Sequence, residues 1–338
     1  MDKRKIEEKF FKGLMILSLL LIFSCLGLIL VTITVKGLPA LDWAMLTQIP
    51  RGGYYLGKEG GILNAIIGSL YVAGGAAFLA LAVSLPVALY LNVYLRKGSR
   101  LAAWIRFSLD VLWGVPSIVI GAFGFTIMLF FGLRASLLAG IITVALLIIP
   151  IMIRAMDEVI KMIPPKIVEA SYSLGATRLE TAFKVVVRQA LPGILTAILI
   201  AFGRGIGDAA SVLFTAGYTD SIPNSLSRPA ATLPLAIFFQ LGTPFPQVQD
   251  RAYASALILT VLIVVISLAL IVLGTVLWLR GTEAQRKDLR AADYLALALG
   301  PMTVLALLTS MLGDWFFSTI LLILSILIVV TIVTWVLS

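Results

Sequence analysis

The 338-residue chain contains no histidine and a single cysteine, Cys25. The first absence removes His-based triads, His proton relays and almost every haem or zinc site; the second removes disulfide frameworks and cysteine metal clusters. No catalytic, cofactor-binding or metal-ligating residues are therefore expected, and an intramembrane enzyme is disfavoured. The chain also lacks a G-x-x-x-x-G-K-[ST] phosphate loop. Gly57-Lys58 stands without the rest of that pattern, so this chain is not expected to hydrolyse ATP itself. Charge is scarce as well: Asp, Glu, Lys and Arg make up 13% of residues, against about 25% in a soluble domain.

What fills the chain is apolar, at 60% hydrophobic residues and a mean hydropathy of +1.07. A membrane span needs about 20 such residues in a row. Windows that qualify lie near 13–35, 62–92, 108–132, 135–153, 193–217, 252–279, 294–312 and 315–337. The pattern predicts an all-α polytopic membrane protein of about eight spans. The first window is too long for a secretory signal and has no small-residue cleavage site, so it reads as a retained anchor.

The formal net charge of +9 does not mark a nucleic-acid partner, because the basic residues follow topology and do not form one patch. With the N-terminus inside, inner segments hold 19 of the 26 Lys and Arg, outer segments hold 6, and Arg204 lies between. That bias predicts a cytoplasmic N-terminus. Small residues crowd two windows: Gly68, Ser69, Gly74 and Gly75 in the second, and Gly114, Pro116, Gly121 and Gly124 in the third. These predict close helix packing and a bend.

Two stretches stand out. Residues 194–217, ILTAILIAFGRGIGDAASVLFTAG, place Arg204 and Asp208 near the middle of an apolar run. Each charge costs about 2.5–3.5 kcal/mol at a helix centre, so something must offset that cost or use it. The longest inner segment, residues 156–193, predicts two short amphipathic helices. Pro164-Pro165 suits a helix start, with Ile167, Ala170 and Leu174 on one face, and Gly175 suits its stop. Thr177-Arg178-Leu179-Glu180 reads as a capping box opening a second helix, with Phe183, Val187 and Ala190 on a face, that ends at Pro192. Either the bundle or another protein must cover the apolar faces of this pair.

Glu169-Ala170-Ser171, three residues and then Gly175 resemble the EAA loop of ABC-importer membrane subunits. More narrowly, VKGLPALDWAMLTQIP, GGILNAIIGSLY, GVPSIVIG, SLGATRLETAFKVVV, ALPGILTAILIA and RPAATLPLAIFFQLGTPFP resemble phosphate-specific permeases of the A-subunit (PstA) type, over residues 10–275 or so. Three departures are visible. The loop's Ile-x-Leu-Pro becomes Val185-Val186-Val187-Arg188, with Leu191-Pro192 later. The family's Arg-Ala-x-Gly-Glu-Thr-Ala-Pro becomes the run from Arg204 to Ser211, with Asp208 for Glu and Ser211 for Pro. Residues 281–338 add a charged linker and an apolar hairpin.

The resemblance implies a type I (MetI-like) permease core of about six spans over 13–280, behind a cytoplasmic N-terminus at 1–12. After it come a charged linker at 281–293 and an extra hairpin at 294–338 with no assigned role. It implies a subunit in the cytoplasmic membrane of a prokaryote that moves inorganic phosphate. The expected partners are a sister permease, an extracytoplasmic phosphate-binding protein, and an ATPase dimer that docks at 164–191 and binds ATP and Mg. Glu169, Ala170, Ser171, Gly175, Thr177 and Glu180 would couple to the ATPase, and Arg204 and Asp208 would line the pathway. Another oxyanion (molybdate, sulfate or phosphonate) or an ion-coupled secondary carrier are the alternative readings.

Overall fold

A backbone that crosses lipid must satisfy its own amides, which favours helices wherever the apolar runs are long enough. The computed structural model describes residues 3–51, 59–96 and 98–281. The chain opens with α1 (Lys3–Gly37), a 3-10 turn (Leu38–Ala40) and a short α2 (Trp43–Thr47). Strands β1 (Pro50–Arg51) and β2 (Glu59–Gly60) then form an antiparallel ribbon with Pro50 opposite Gly60. The long helix α3 (Leu63–Leu89) ends in a π turn at Tyr90–Tyr94 and is followed by α4 (Arg100–Trp113), α5 (Ser117–Phe130) and α6 (Leu137–Lys161). Next come α7 (Pro165–Ser173) and α8 (Arg178–Glu180), a π turn at Thr181–Val186, and α9 (Val187–Ile206). Short α10 (Leu233–Leu241) and long α11 (Pro246–Gly281) complete the described chain.

The core is a three-helix seam. On α6, Val144, Ile148, Met152 and Met156 recur every four residues and are buried between α3 and α9. The facing positions are small on one side, Val72, Ala76 and Ala80 of α3, and mixed on the other, Ala190, Ile194, Ala197 and Ala201 of α9. Such faces let helices approach until dispersion holds them, as association within lipid requires.

Among the described residues, five helices are long and apolar enough to cross a membrane, and six spans result if α4 and α5 count as one. That pair bends by 99° at Gly114–Pro116. Each half has 14 residues, about 21 Å, so neither spans a core of about 30 Å alone. The bend expected from Gly114 and Pro116 is thus a full break, because the residue before a proline avoids helical geometry.

The structure departs from the sequence expectation at the fifth span. It does not run through 193–217 behind a separate helix; one continuous element runs Arg178–Ile206 and then stops. Pro192 lies inside α9 and does not end it. A proline removes one helical amide bond, but burial of Ala190, Ile194, Ala197 and Ala201 holds the helix through that point. The linker 282–293 and the windows 294–312 and 315–337 lie outside the described residues.

Candidate functional site

At the far end of α9 the helix gives way to turns. Residues 208–217 lie against the start of α6, where Ser136 N–H donates to Thr215 O at 2.9 Å, and against the segment before α10, where Ala230 N–H donates to Ala216 O at 2.9 Å. Gly205 faces Val144 and Ile148, two to three turns inside the end of α6. The chain is therefore non-helical at membrane depth. Non-helical backbone is tolerated there only when protein or a polar cavity covers it, and Asp208, Ser211, Val212, Thr215 and Ala216 are indeed buried.

Asp208 anchors the turn. Its Oδ2 accepts from Ser211 N–H at 2.7 Å, and its Oδ1 accepts from Arg204 Nη1 at 2.9 Å. A proline at 211 has no N–H to offer, so Ser211 and the short Asp208 side chain form a matched pair. The carboxylate is 4% exposed, whereas the Arg204 side chain is 45% exposed. A guanidinium carries five N–H donors, and among the described residues the structure gives Arg204 no partner besides Asp208. Most of its fork is thus open to an anion. Its place in the last turn of α9 also suits the negative end of the helix dipole.

Helix α5 passes close behind this turn. A Cβ at Gly121 would lie 2.8 Å from Ala210 O and 2.9 Å from Ser211 Cα. Gly121→Val should therefore displace the turn and destabilise the protein by about 1–3 kcal/mol, read as a lower thermal unfolding midpoint of the purified complex. Gly74→Ala, where a Cβ meets nothing within 4 Å, is the control and should not lower the midpoint, since alanine favours a helix interior over glycine by about 0.5–1 kcal/mol.

The second predicted site lies at the opposite end of α9. Helix α7 starts at Pro165 and ends in a Schellman motif: Ala176 N–H donates to Ser171 O at 3.2 Å, and Gly175 N–H donates to Tyr172 O at 2.9 Å. Gly175 takes φ +81°, the left-handed conformation that this motif needs. Thr177 caps α8 by accepting from Glu180 N–H at 3.3 Å, while Thr177 N–H donates to Glu180 Oε2 at 3.1 Å. Ser171 Oγ and Thr181 Oγ1, both buried and 2.9 Å apart, fasten α7 to the π turn.

The faces differ from those the 3.6-residue period predicts. Thr181, Ala182, Val186 and Ala190 point inward, whereas Phe183 is exposed and Leu174 is 88% exposed. The π turn supplies the reason, since its extra residue rotates the register that Phe183, Val187 and Ala190 would share. Glu169 and Ala170 are exposed. Together with Leu174, Tyr172, Leu179 and Phe183 they leave an uncovered, largely apolar surface.

A third constellation was not expected from the sequence. Asp157, on the last turns of α6, has a fully buried side chain. Its oxygens accept from Arg106 Nε at 2.8 Å and Nη2 at 2.9 Å, from Asn92 Nδ2 at 2.8 Å and from Arg154 Nη1 at 3.1 Å, and Lys161 Nζ lies 2.7 Å away. Arg154 Nε also lies 2.7 Å from Asp110. The usable signal was the i, i+3, i+4, i+7 spacing of Arg154, Asp157, Glu158 and Lys161 in an otherwise apolar helix. A separate open groove of about 590 Å³ lies among Tyr71, Gly74, Ile141 and Leu226; its lining includes no charged residue, nor Arg204.

Residues 84–280 match the family described as binding-protein-dependent transport system inner membrane component. The chain is similar to the phosphate transport system permease protein PstA of Haemophilus influenzae, at 32% identity over 265 residues, covering 78% of this chain and 93% of that protein. It is also similar to PstA 1 of Mycobacterium tuberculosis H37Rv, at 35% identity, covering 70% of this chain and 82% of that protein. In fold it resembles an inward-facing structure of the MetNI methionine ABC transporter, at 19% identity and a TM-score of 0.53, covering 64% of this chain and 95% of the other.

Proposed function

The chain belongs to the family of binding-protein-dependent transport system inner membrane components and, within it, to the PstA-type phosphate permeases; from this we propose that it is the membrane-spanning subunit of an ABC importer of inorganic phosphate. ATP is hydrolysed on a separate subunit, which binds the nucleotide and Mg. A sister permease and an extracytoplasmic phosphate-binding protein complete the assembly. The N-terminus lies in the cytoplasm, in keeping with the distribution of basic residues. Residues 13–280 form the permease proper, and 281–293 and 294–338 are appended to it.

The observation that carries this reading is the exposed fork of Arg204 in the last turn of a helix that breaks off at membrane depth. Substrate sites of transporters are typically built where helices are interrupted; the end of α9 frees carbonyls and not amides, so the donors for an anion come from the Arg204 side chain. Arg is suited to phosphate: it stays charged, and its planar donors match two phosphate oxygens at once. Asp208 holds Arg204 by one nitrogen between substrates and adds a negative charge that keeps binding weak, so phosphate can leave.

At the other end, the exposed surface of α7, α8 and the π turn receives the ATPase. Glu169, Ala170 and Leu174 contact it, Gly175 sets the angle between the two helical pieces, and Ser171, Thr177 and Glu180 hold them as one unit. From Arg178 to Ile206 the chain is helical over 29 residues, about 43 Å. A push at the capping box therefore reaches Arg204 along one rod, with the π turn and Pro192 as its compliant points.

The test is uptake of labelled phosphate by the full complex in proteoliposomes. Uptake should require ATP on the ATPase side and persist when ionophores collapse every ion gradient. Uptake that follows the gradient instead overturns the reading, and stronger competition by sulfate or molybdate than by phosphate overturns its substrate.

A further inference from the structure

We propose that the ion cluster around Asp157 is the joint that makes the α3–α4 arm follow the ATPase-driven stroke, with Asp157 and Arg106 as its positioning residues. This rests on the reading above, in which force enters through α7.

Asp157 lies one turn before the end of α6 and two turns before α7 begins. A displacement of α7 reaches α6 through this turn, as it reaches α9 through the Ser171–Thr181 contact. Three elements converge on the one carboxylate: α6 itself, α4 through Arg106, and the π turn after α3 through Asn92. Arg154 extends the cluster to Asp110, a turn further along α4. The members are Arg106, Arg154 and Lys161 against Asp110, Asp157 and Glu158, three cations and three anions, so the cluster is formally neutral.

Stability alone does not call for this arrangement, since buried ion networks are often no more stabilising than apolar packing of the same volume. What ions add is mechanical. Apolar packing resists separation but has no preferred direction and yields to sliding, whereas a two-pronged Arg–carboxylate contact resists sliding and rotation as well. A transport cycle has a return stroke, and beside the apolar packing of Leu91, Ala102 and Leu109 around Ile153 the bonded contact keeps α4 and the end of α3 in register with α6. The π turn is suited to the receiving side. Asn92 donates to Ala88 O at 2.9 Å as well as to Asp157, which ties the loosened helical turn to the cluster.

The test uses the full complex in proteoliposomes with Asp157→Asn, Arg106→Gln and the double variant, measuring assembled complex, ATPase rate and phosphate moved per ATP. Each single variant is expected to assemble and hydrolyse ATP while phosphate moved per ATP falls about tenfold. The double variant should be no worse than either single one, as for residues acting as a unit. If uptake falls only in proportion to the amount of complex, with phosphate per ATP unchanged, the cluster is structural and the inference is overturned. Should Asp157→Asn fail to assemble, Arg106→Lys decides: it keeps the charge but loses the fork, and unchanged coupling in it overturns the proposal. Wild-type complex run alongside separates the two readings, because a wild type that hydrolyses ATP without moving phosphate overturns the transport reading itself.

Discussion

Arg204→Gln should lower phosphate uptake by about 100-fold while the complex still assembles and binds its ATPase subunits. The size follows from the bonds at stake. A hydrogen bond to a charged group contributes about 1.5–3 kcal/mol, and a barrier higher by about 2.7 kcal/mol slows passage about 100-fold. Glutamine is shorter, with its amide near the position of Arg204 Nε, and gives up the bond that Nη1 makes to Asp208 Oδ1, but the 208–211 turn, which rests on Ser211 N–H, should survive. Asp208→Asn is the informative companion. It removes the charge that competes with phosphate for Arg204, so phosphate should be held more tightly and turnover should fall through slow release. Normal uptake in both variants would show that the pair only fastens the bundle.

Gly175→Leu should break ATPase association. Gly175 takes φ +81° with nothing within 4 Å of an added Cβ, so the obstacle is the backbone and not space. A left-handed residue other than glycine costs about 1–2 kcal/mol. The chain escapes that cost by opening the Schellman turn, which swings α7 away from α8 and pulls Ser171 from Thr181. Co-purification of the ATPase should then fall about 5- to 30-fold, the factor that corresponds to about 1–2 kcal/mol. Gly175→Asn should keep most of the association, since asparagine enters the left-handed region more readily than other non-glycine residues. Equal association by the Leu variant and wild type would remove this turn from the docking surface.

Several elements were legible because their causes are local. Run length alone located six of the apolar windows that the structure resolves as spans or as the α4–α5 pair. Pro165 at a helix start, Gly175 at its stop and the reciprocal bonds of Thr177 and Glu180 each depend on residues within one turn. Simple rules for caps and glycines suffice there.

Other features were hidden for a shared reason. The stop of α9 at Ile206 depends on Asp208 finding Ser211 N–H and on α5 leaving room at Gly121. By hydropathy alone the apolar run simply continues to residue 217. The two π turns shift a helical register that a 3.6-residue period takes as unbroken. Pro192 looks like a terminus until the buried face around it is known.

The sequence by itself determined that this is a membrane protein of several helical spans that contains no histidine, and where its capped turn and intramembrane charges lie. Those properties follow from composition, run length and contacts within four residues. Only the tertiary structure decided that Arg204 has an open fork and that Asp157 joins three elements. Asp157 meets partners 51 and 65 residues away in sequence; which charges meet across such distances depends on how α3, α4 and α6 pack, and no local rule contains that information.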